Sequence, residues 1–375
     1  MDRLVTLLVF ISYYLLVVNQ SVFASGIEPV LILFLISFIS FYFFDKNYNN
    51  LILLILMMIL VVLNLLHGSD AVHSGSYSKS IFIIVFFSLL LSTVRLDYLY
   101  FERFLYFSFF LVFIIQIYFF INEVYFGEFL NVRGGKFNGV LVSAFIFDNA
   151  NSAAAFFLSI LILQSLLILK PMKVIVMLST LVFLLLTFSR TAFVVGVIIF
   201  IISSFSYFLR FKFFSIIILS LSSVLVLYNH YDVFDVLVNK FSDAGDSSRL
   251  YIWSSIIEGV INEPSKILLG NGASTTSLKL NGVVLSSHSS YVNTFSNMGI
   301  FYFIILGLAL ILKLYYLISN KEKERFFVFF IILTYGITES VLFEGPTAIW
   351  FCTIILLCIK FLSLSSENEN SKCIS

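Results

Sequence analysis

The sequence predicts an all-α polytopic membrane protein of about twelve transmembrane helices, a single integral membrane domain over residues 1–375 with one long outer loop. Three observations lead to this fold class. First, 60% of the 375 residues are hydrophobic and 11% are charged, against about 45–50% and 25% in soluble domains, an apolar excess that no water-soluble core could enclose. Second, the apolar residues fall into repeated runs of near-spanning length, since a hydrocarbon layer of about 30 Å needs roughly 20 helical residues. Third, the runs are continuous, without the period-two alternation that an outer-membrane barrel requires.

The elements follow in chain order. The first run, 4–24, ends in the small residues Ala24-Ser25-Gly26 and could be taken for a cleaved leader. It is expected to be retained, because it is nearly long enough to span, Asp2 sits beside a single Arg3, and similar runs follow. Those runs cover 27–44, 51–66, 80–94, 104–121, 153–169, 174–189, 191–209, 213–228, 299–318, 326–343 and 347–364. Short loops rich in Lys and Arg mark the cytoplasmic side. That rule places both termini inside, together with Asp45–Asn50, Arg95–Arg103, Lys170–Lys173, Arg210–Lys212 and Asn320–Arg325. The outer face then receives 67–79, 122–152, 344–346 and the long segment 229–298. Within that segment Asp246 or Ser247 can cap a short amphipathic helix through Arg249 and Trp253 that stops before Pro264.

Several function classes are excluded. A net charge of +1 gives no clustered basic face for nucleic acid. Cys352, Cys358 and Cys373 offer neither a disulfide framework nor zinc spacing, and His67, His73 and His230 lack partner spacing, so no metal and no cofactor is expected. No phosphate-binding GxxxxGK[ST] loop occurs, and Gly270-Asn271-Gly272 reads as a turn. The cytoplasmic loops leave no room for a nucleotide-binding domain, so the substrate is expected to arrive through the membrane.

The polar residues of the outer face carry the functional signal. Arg190 lies in Leu184-Leu-Leu-Thr-Phe-Ser-Arg190-Thr-Ala-Phe, with apolar sequence on both sides. An arginine there either snorkels at a tight turn or faces an anionic headgroup, for which guanidinium offers a planar fork and a charge that does not titrate away. Arg249 shares a helix face with Trp253 four residues on, as a substrate ligand or as a solvated charge. His288, just ahead of an apolar span and followed one turn later by Tyr291, is either an incidental loop residue or a proton acceptor near neutral pH. Asp148 and Asn151 precede the run at 153–169, and Glu339 ends the run at 326–343. Helix capping and interhelical hydrogen bonding compete with a functional role for each.

Taken in order, these residues resemble the signature of the O-antigen polymerase and O-antigen ligase superfamily. Ser189-Arg190-Thr-Ala, then Arg249 with Trp253 and Pro264, then Gly270-Asn-Gly272, then His288-Ser-Ser-Tyr291 closing on Gly299 carry the likeness. Arg133-Gly-Gly with Asp148-Asn-Ala-Asn151 resembles the upstream element. The similarity runs from Arg133 to about Glu344, and it departs at Ser289, where the family pattern has Asn after the histidine.

The resemblance implies a glycosyltransferase acting on undecaprenyl-pyrophosphate-linked oligosaccharides at the periplasmic face of the bacterial inner membrane. Arg190 and Arg249 match the arginines thought to hold the pyrophosphate, and His288 matches the loop histidine proposed as general base. Arg133, Asp148, Asn151, Tyr291 and Glu339 are then expected to bind substrate, without a metal. The implied partners are lipid-linked repeat units, membrane lipid, and a chain-length regulator and flippase of the same pathway. Polymerase is the preferred activity, because such enzymes vary with their repeat unit. A ligase transferring the glycan to lipid A core is the alternative within the class, and a flippase for the same lipid-linked units is the rival outside it.

Overall fold

A computed structural model of the chain describes residues 3–9, 11, 87, 91, 96–121, 135–137, 140–142, 150–166, 170–187, 189–208, 246–271, 277–280, 283–319 and 323–339. These residues are predominantly helical, as expected. The expected runs 27–44, 51–66, 213–228 and 347–364 lie outside the described residues, as do most of 4–24 and 80–94 and all of the candidates Arg133 and Asp148. Six other runs coincide with helices. They are α1 (Tyr98–Ile121), α2 (Ala150–Leu166), α3 (Lys170–Leu186), α4 (Arg190–Phe208), α7 (Ser290–Ser319) and α8 (Lys323–Thr338). Between them come α5 (Asp246–Ile261) and α6 (Pro264–Leu269). Counting only the described residues, no helix is long and apolar enough to cross a membrane.

Two short antiparallel hairpins depart from the all-α expectation. Strands β1 (Gly135–Phe137) and β2 (Val140–Val142) pair Phe137 with Val140, and β3 (Ser277–Leu280) and β4 (Val283–Ser286) pair Leu280 with Val283. In each, the two intervening residues are Asn-Gly, at 138–139 and 281–282. That dipeptide suits a two-residue turn in which both positions take φ > 0.

The chain divides into two compact units, one of residues 1–20, 24–106 and 246–375, the other of 21–23 and 107–245. In the second unit α2, α3 and α4 pack against one another. The connections between them are only a few residues long, so neighbours run antiparallel and α2 and α4 begin at the same end. Ala153, Ala154, Ala155, Phe156, Leu158 and Leu161 are fully buried, so α2 is covered almost all round and is the centre of this bundle. Phe157 stacks on Phe183 at 5.4 Å. A methyl group on Gly196 would come within 2.6 Å of a Leu184 side-chain carbon and 3.3 Å of one from Leu161. Glycine is what lets α4 approach both neighbours. The Thr180 hydroxyl lies 3.0 Å from both Gln164 Oε1 and the Val176 carbonyl, which satisfies these buried polar groups.

In the first unit Asp97 caps α1. Its carboxylate accepts from the Tyr100 amide at 3.2 Å, while its own amide donates to Thr6 Oγ1 at 3.0 Å. Arg3 lies 3.5 Å from Asp97 and over the Tyr100 ring. This cap starts the helix six residues ahead of the apolar run at 104–121.

Helices α5, α6, α7 and α8 form the second cluster of this unit, α7 packing against the other three. Pro264 lacks an amide proton to continue α5 and instead opens α6, where that missing donor costs nothing. Helix α7 is broken at Gly299, whose φ of 72° lies in the left-handed region. Gly270, after α6, has φ 75°. The two meet: a Cβ on Gly299 would overlap the Leu268 carbonyl and the Gly270 amide nitrogen, and a Cβ on Gly270 would overlap the Asn297 carbonyl. Both the backbone sign and the close approach demand glycine here. Beyond the break, Phe301, Ile304, Leu308, Ile311, Tyr315 and Ile318 form an exposed stripe at three- and four-residue spacing.

Candidate functional site

The site is built where α5, the loop 287–289, the start of α7 and the end of α8 meet, all within the first unit. Arg249 and Trp253 project from successive turns of α5 and reach different partners. Arg249 Nη1 donates to the carbonyl of Thr338, the last residue of α8, at 3.0 Å, and Nη2 lies 3.8 Å from Glu339 Oε1. The first is a hydrogen bond; the second is an ion pair beyond direct hydrogen-bond length. The Glu339 side chain is 8% exposed and that of Arg249 33%, so the carboxylate is buried and the guanidinium is only partly covered.

Trp253 Nε1 donates to the Ser287 carbonyl at 2.7 Å. Ser287 is buried, and its hydroxyl donates to Asn293 Oδ1 of α7 and accepts from the Ser289 amide at 3.2 Å. Ser289 starts α7 in turn, its carbonyl accepting from the Asn293 amide at 3.0 Å. Between these two anchored serines stands His288, the one non-glycine residue with positive φ among those described, at 49°. Left-handed backbone is costly for a side chain of this size and persists where the surroundings over-determine it. Here both flanking residues are buried and hydrogen-bonded while His288 as a whole reaches solvent. Partial burial lowers the His288 pKa from its ordinary 6.5, and the nearby Arg249 charge lowers it further. The ring is therefore neutral at neutral pH, in the state that accepts a proton.

Three side chains close on carbonyls at the C-terminal end of α8. Besides Arg249 on Thr338, Ser290 Oγ donates to the Glu339 carbonyl at 2.8 Å and Tyr291 Oη to the Leu333 carbonyl at 2.9 Å. Burial pushes the Tyr291 phenol up to about 12, so it stays a neutral donor. Asn271, directly after Gly270, donates its backbone amide to Ser296 O at 2.7 Å and its side-chain amide to Ser296 Oγ at 3.1 Å. Ser287, Ser289, Ser290, Asn293, Thr294, Ser296 and Asn297 are all buried. Short polar side chains thus fill the junction behind the loop.

Of the candidates named from sequence, the structure brings Arg249, His288, Tyr291 and Glu339 together. Arg190 and Asn151 belong to the other unit. Arg190 is the first residue of α4, half-buried, after a tight turn in which Thr187 Oγ1 donates to Leu184 O at 2.7 Å. Asn151 is exposed in the first turn of α2, at the same end of that bundle. The candidate list lacked Ser287, Ser290, Asn293 and Thr338. The first three were signalled by the density of Ser and Asn in residues 286–297, unusual directly ahead of an apolar run. Thr338 acts through its backbone and left no signal. Among the described residues no group of acidic, His or Cys side chains is placed to hold a metal.

With this geometry in place, comparison with known proteins gives one match. Residues 174–307 match the sequence pattern of a family described as O-antigen ligase, about a third of the chain. No curated protein and no solved structure matches. The matched segment includes Arg190, Arg249, Trp253, His288 and Tyr291, and supports the O-antigen ligase and polymerase superfamily. It leaves Arg133, Asp148, Asn151 and Glu339 outside.

Proposed function

We propose that the chain polymerises O-antigen or a related surface polysaccharide, joining undecaprenyl-pyrophosphate-linked repeat units at the periplasmic face of the bacterial inner membrane. The family match supports a ligase- or polymerase-type glycosyltransferase of polysaccharide biosynthesis. The observation that supports the finer reading is that one hydrogen-bonded junction holds a guanidinium, Arg249, and a histidine, His288, whose backbone is kept at positive φ. Membrane insertion through about twelve spans, with both termini cytoplasmic and the segment 229–298 periplasmic, is supported by the hydropathy of the chain. The exposed apolar stripe of α7 is the kind of surface that lipid covers.

In this reading a hydroxyl of the acceptor glycan attacks the anomeric carbon of the donor chain. The bond from that carbon to the pyrophosphate oxygen breaks, and undecaprenyl pyrophosphate leaves with growing negative charge. Arg249 stabilises that charge as it develops, which accelerates the step more than equal binding of the ground state would, and the family resemblance gives Arg190 the same role. Pyrophosphate is a good leaving group, so no strong acid is required. His288 accepts the hydroxyl proton, for which its depressed pKa keeps it ready. Tyr291 lines the junction as a neutral phenol, and the family resemblance gives Arg133, Asp148 and Asn151 a part in substrate binding. The pathway's flippase and chain-length regulator are the expected protein partners.

The description of the matched family, O-antigen ligase, favours a second reading, transfer of the glycan to lipid A core. Deleting the gene in a smooth strain separates the two. Core capped by single repeat units marks a lost polymerase, whereas core without any O-antigen marks a lost ligase. Purified protein supplied with synthetic lipid-linked repeats tests the enzyme class itself: a chain-extended product is expected, and bilayer translocation without a new glycosidic bond would identify a flippase instead.

A further inference from the structure

Resting on the pyrophosphate role of Arg249, we propose that Glu339 is a positioning residue whose buried carboxylate and neighbouring Thr338 carbonyl orient the Arg249 fork toward the leaving group. It would not itself be a substrate ligand, although the sequence placed it among those.

A guanidinium has five N–H donors in a fixed plane. One is committed to Thr338 O at 3.0 Å and one side of the fork faces Glu339 Oε1 at 3.8 Å, so the remaining donors stay available for phosphate oxygens. Two anchors on neighbouring residues define the plane of the fork, whereas one would leave it free to rotate. The exposures fit this order, the acid being almost enclosed and the guanidinium partly open. A carboxylate touching pyrophosphate directly would repel it. Behind Arg249 the same group holds the guanidinium in place without meeting the ligand.

Glu339 is itself fixed at both ends of its backbone. Its amide donates to Tyr335 O at 3.1 Å and its carbonyl accepts from Ser290 Oγ at 2.8 Å. Ser290 opens α7 two residues after His288. The acid therefore ties the α5 arginine to the helix that follows the histidine loop, across separations of 89 residues to the Arg249–Thr338 bond and 49 to the Ser290 bond.

The test uses full-length protein in lipid nanodiscs, with undecaprenyl pyrophosphate as probe and undecaprenyl phosphate as control. Glu339→Ala is expected to weaken pyrophosphate binding about tenfold, because the guanidinium loses the group that faces it, and Glu339→Gln by less, because the amide keeps the bulk and polarity beside Arg249. In an Arg249→Ala background neither substitution should weaken binding further. Unchanged or tighter binding by Glu339→Ala alone, or an equal loss with and without Arg249, overturns the proposal. Phenylglyoxal modification of Arg249, read by mass spectrometry, supplies an arm independent of ligand: Glu339→Ala should speed it, and an unchanged rate counts against the positioning role. If wild-type protein fails to prefer pyrophosphate over phosphate, the proposed function falls, while the labelling still decides whether Glu339 holds Arg249.

Discussion

Replacing Trp253 with Phe removes one N–H and leaves an aromatic ring in the same place, which isolates the bond that pins the histidine loop. That bond runs 2.7 Å from the indole nitrogen to the carbonyl of Ser287, a residue 1% exposed, so water cannot readily take the place of the lost donor. Leaving a buried carbonyl without this partner costs about 1–3 kcal/mol. The left-handed backbone of His288 stores about 1–2 kcal/mol. The two are comparable, so without the indole the loop relaxes toward ordinary φ and carries the imidazole out of register. A shift of 1.4 kcal/mol in that balance lowers the poised fraction tenfold, so kcat/KM for chain extension should fall about tenfold. The fall should appear in kcat, with the donor KM little changed, because Arg249 one turn earlier keeps its own anchors. The assay is steady-state extension of a synthetic lipid-linked repeat by full-length protein, with a thermal melt to confirm that folding is intact. Wild-type kcat/KM in Trp253→Phe, with the melt unchanged, would refute the claim that this bond holds the loop.

Three further outcomes are expected. Because burial and Arg249 both lower the His288 pKa, the acid limb of kcat/KM should have its midpoint below 6.5, where the base becomes protonated; removing the Arg249 charge should move that limb upward, measured on residual activity. Arg190→Ala and Arg249→Ala should each reduce chain extension by about a hundredfold or more, as loss of a transition-state donor does, while the protein still inserts, and lysine should rescue poorly because a point charge lacks the fork; full-length product from Arg249→Ala would contradict its assignment. Gly299→Ala should destabilise the protein by more than about 1 kcal/mol, since the alanine meets both a left-handed φ and the α6 backbone, visible as a lower melting temperature; an unchanged melt would contradict the close α6–α7 contact.

Much of the local structure was legible because its causes are local. Continuous apolar runs mark α1 to α4, α7 and α8, and Pro264 stops α5 whatever surrounds it. The two hairpins were equally legible, since Asn138-Gly139 and Asn281-Gly282 are strong two-residue turn signals, although they stand among dominant helical runs. Gly299 was placed at the start of a span from sequence, but its partnership with Gly270 was not, since nothing in either neighbourhood specifies which backbone comes close. Among the site residues the ionisable ones stood out as rarities in an apolar chain. The serines and asparagines that anchor them looked like ordinary loop residues.

The amino-acid sequence by itself determined that the described residues are predominantly helical, where most described helices run, and which few polar groups could carry chemistry, because hydropathy, proline and residue identity act within a turn or two. Tertiary structure alone decided that Arg249 meets the end of α8, 89 residues away, that Trp253 grips Ser287, and that His288 is held in a left-handed backbone. Those pairings arise from the packing of helices distant in sequence, where the carbonyl of Thr338, a group every residue possesses, becomes a specific partner only through its position.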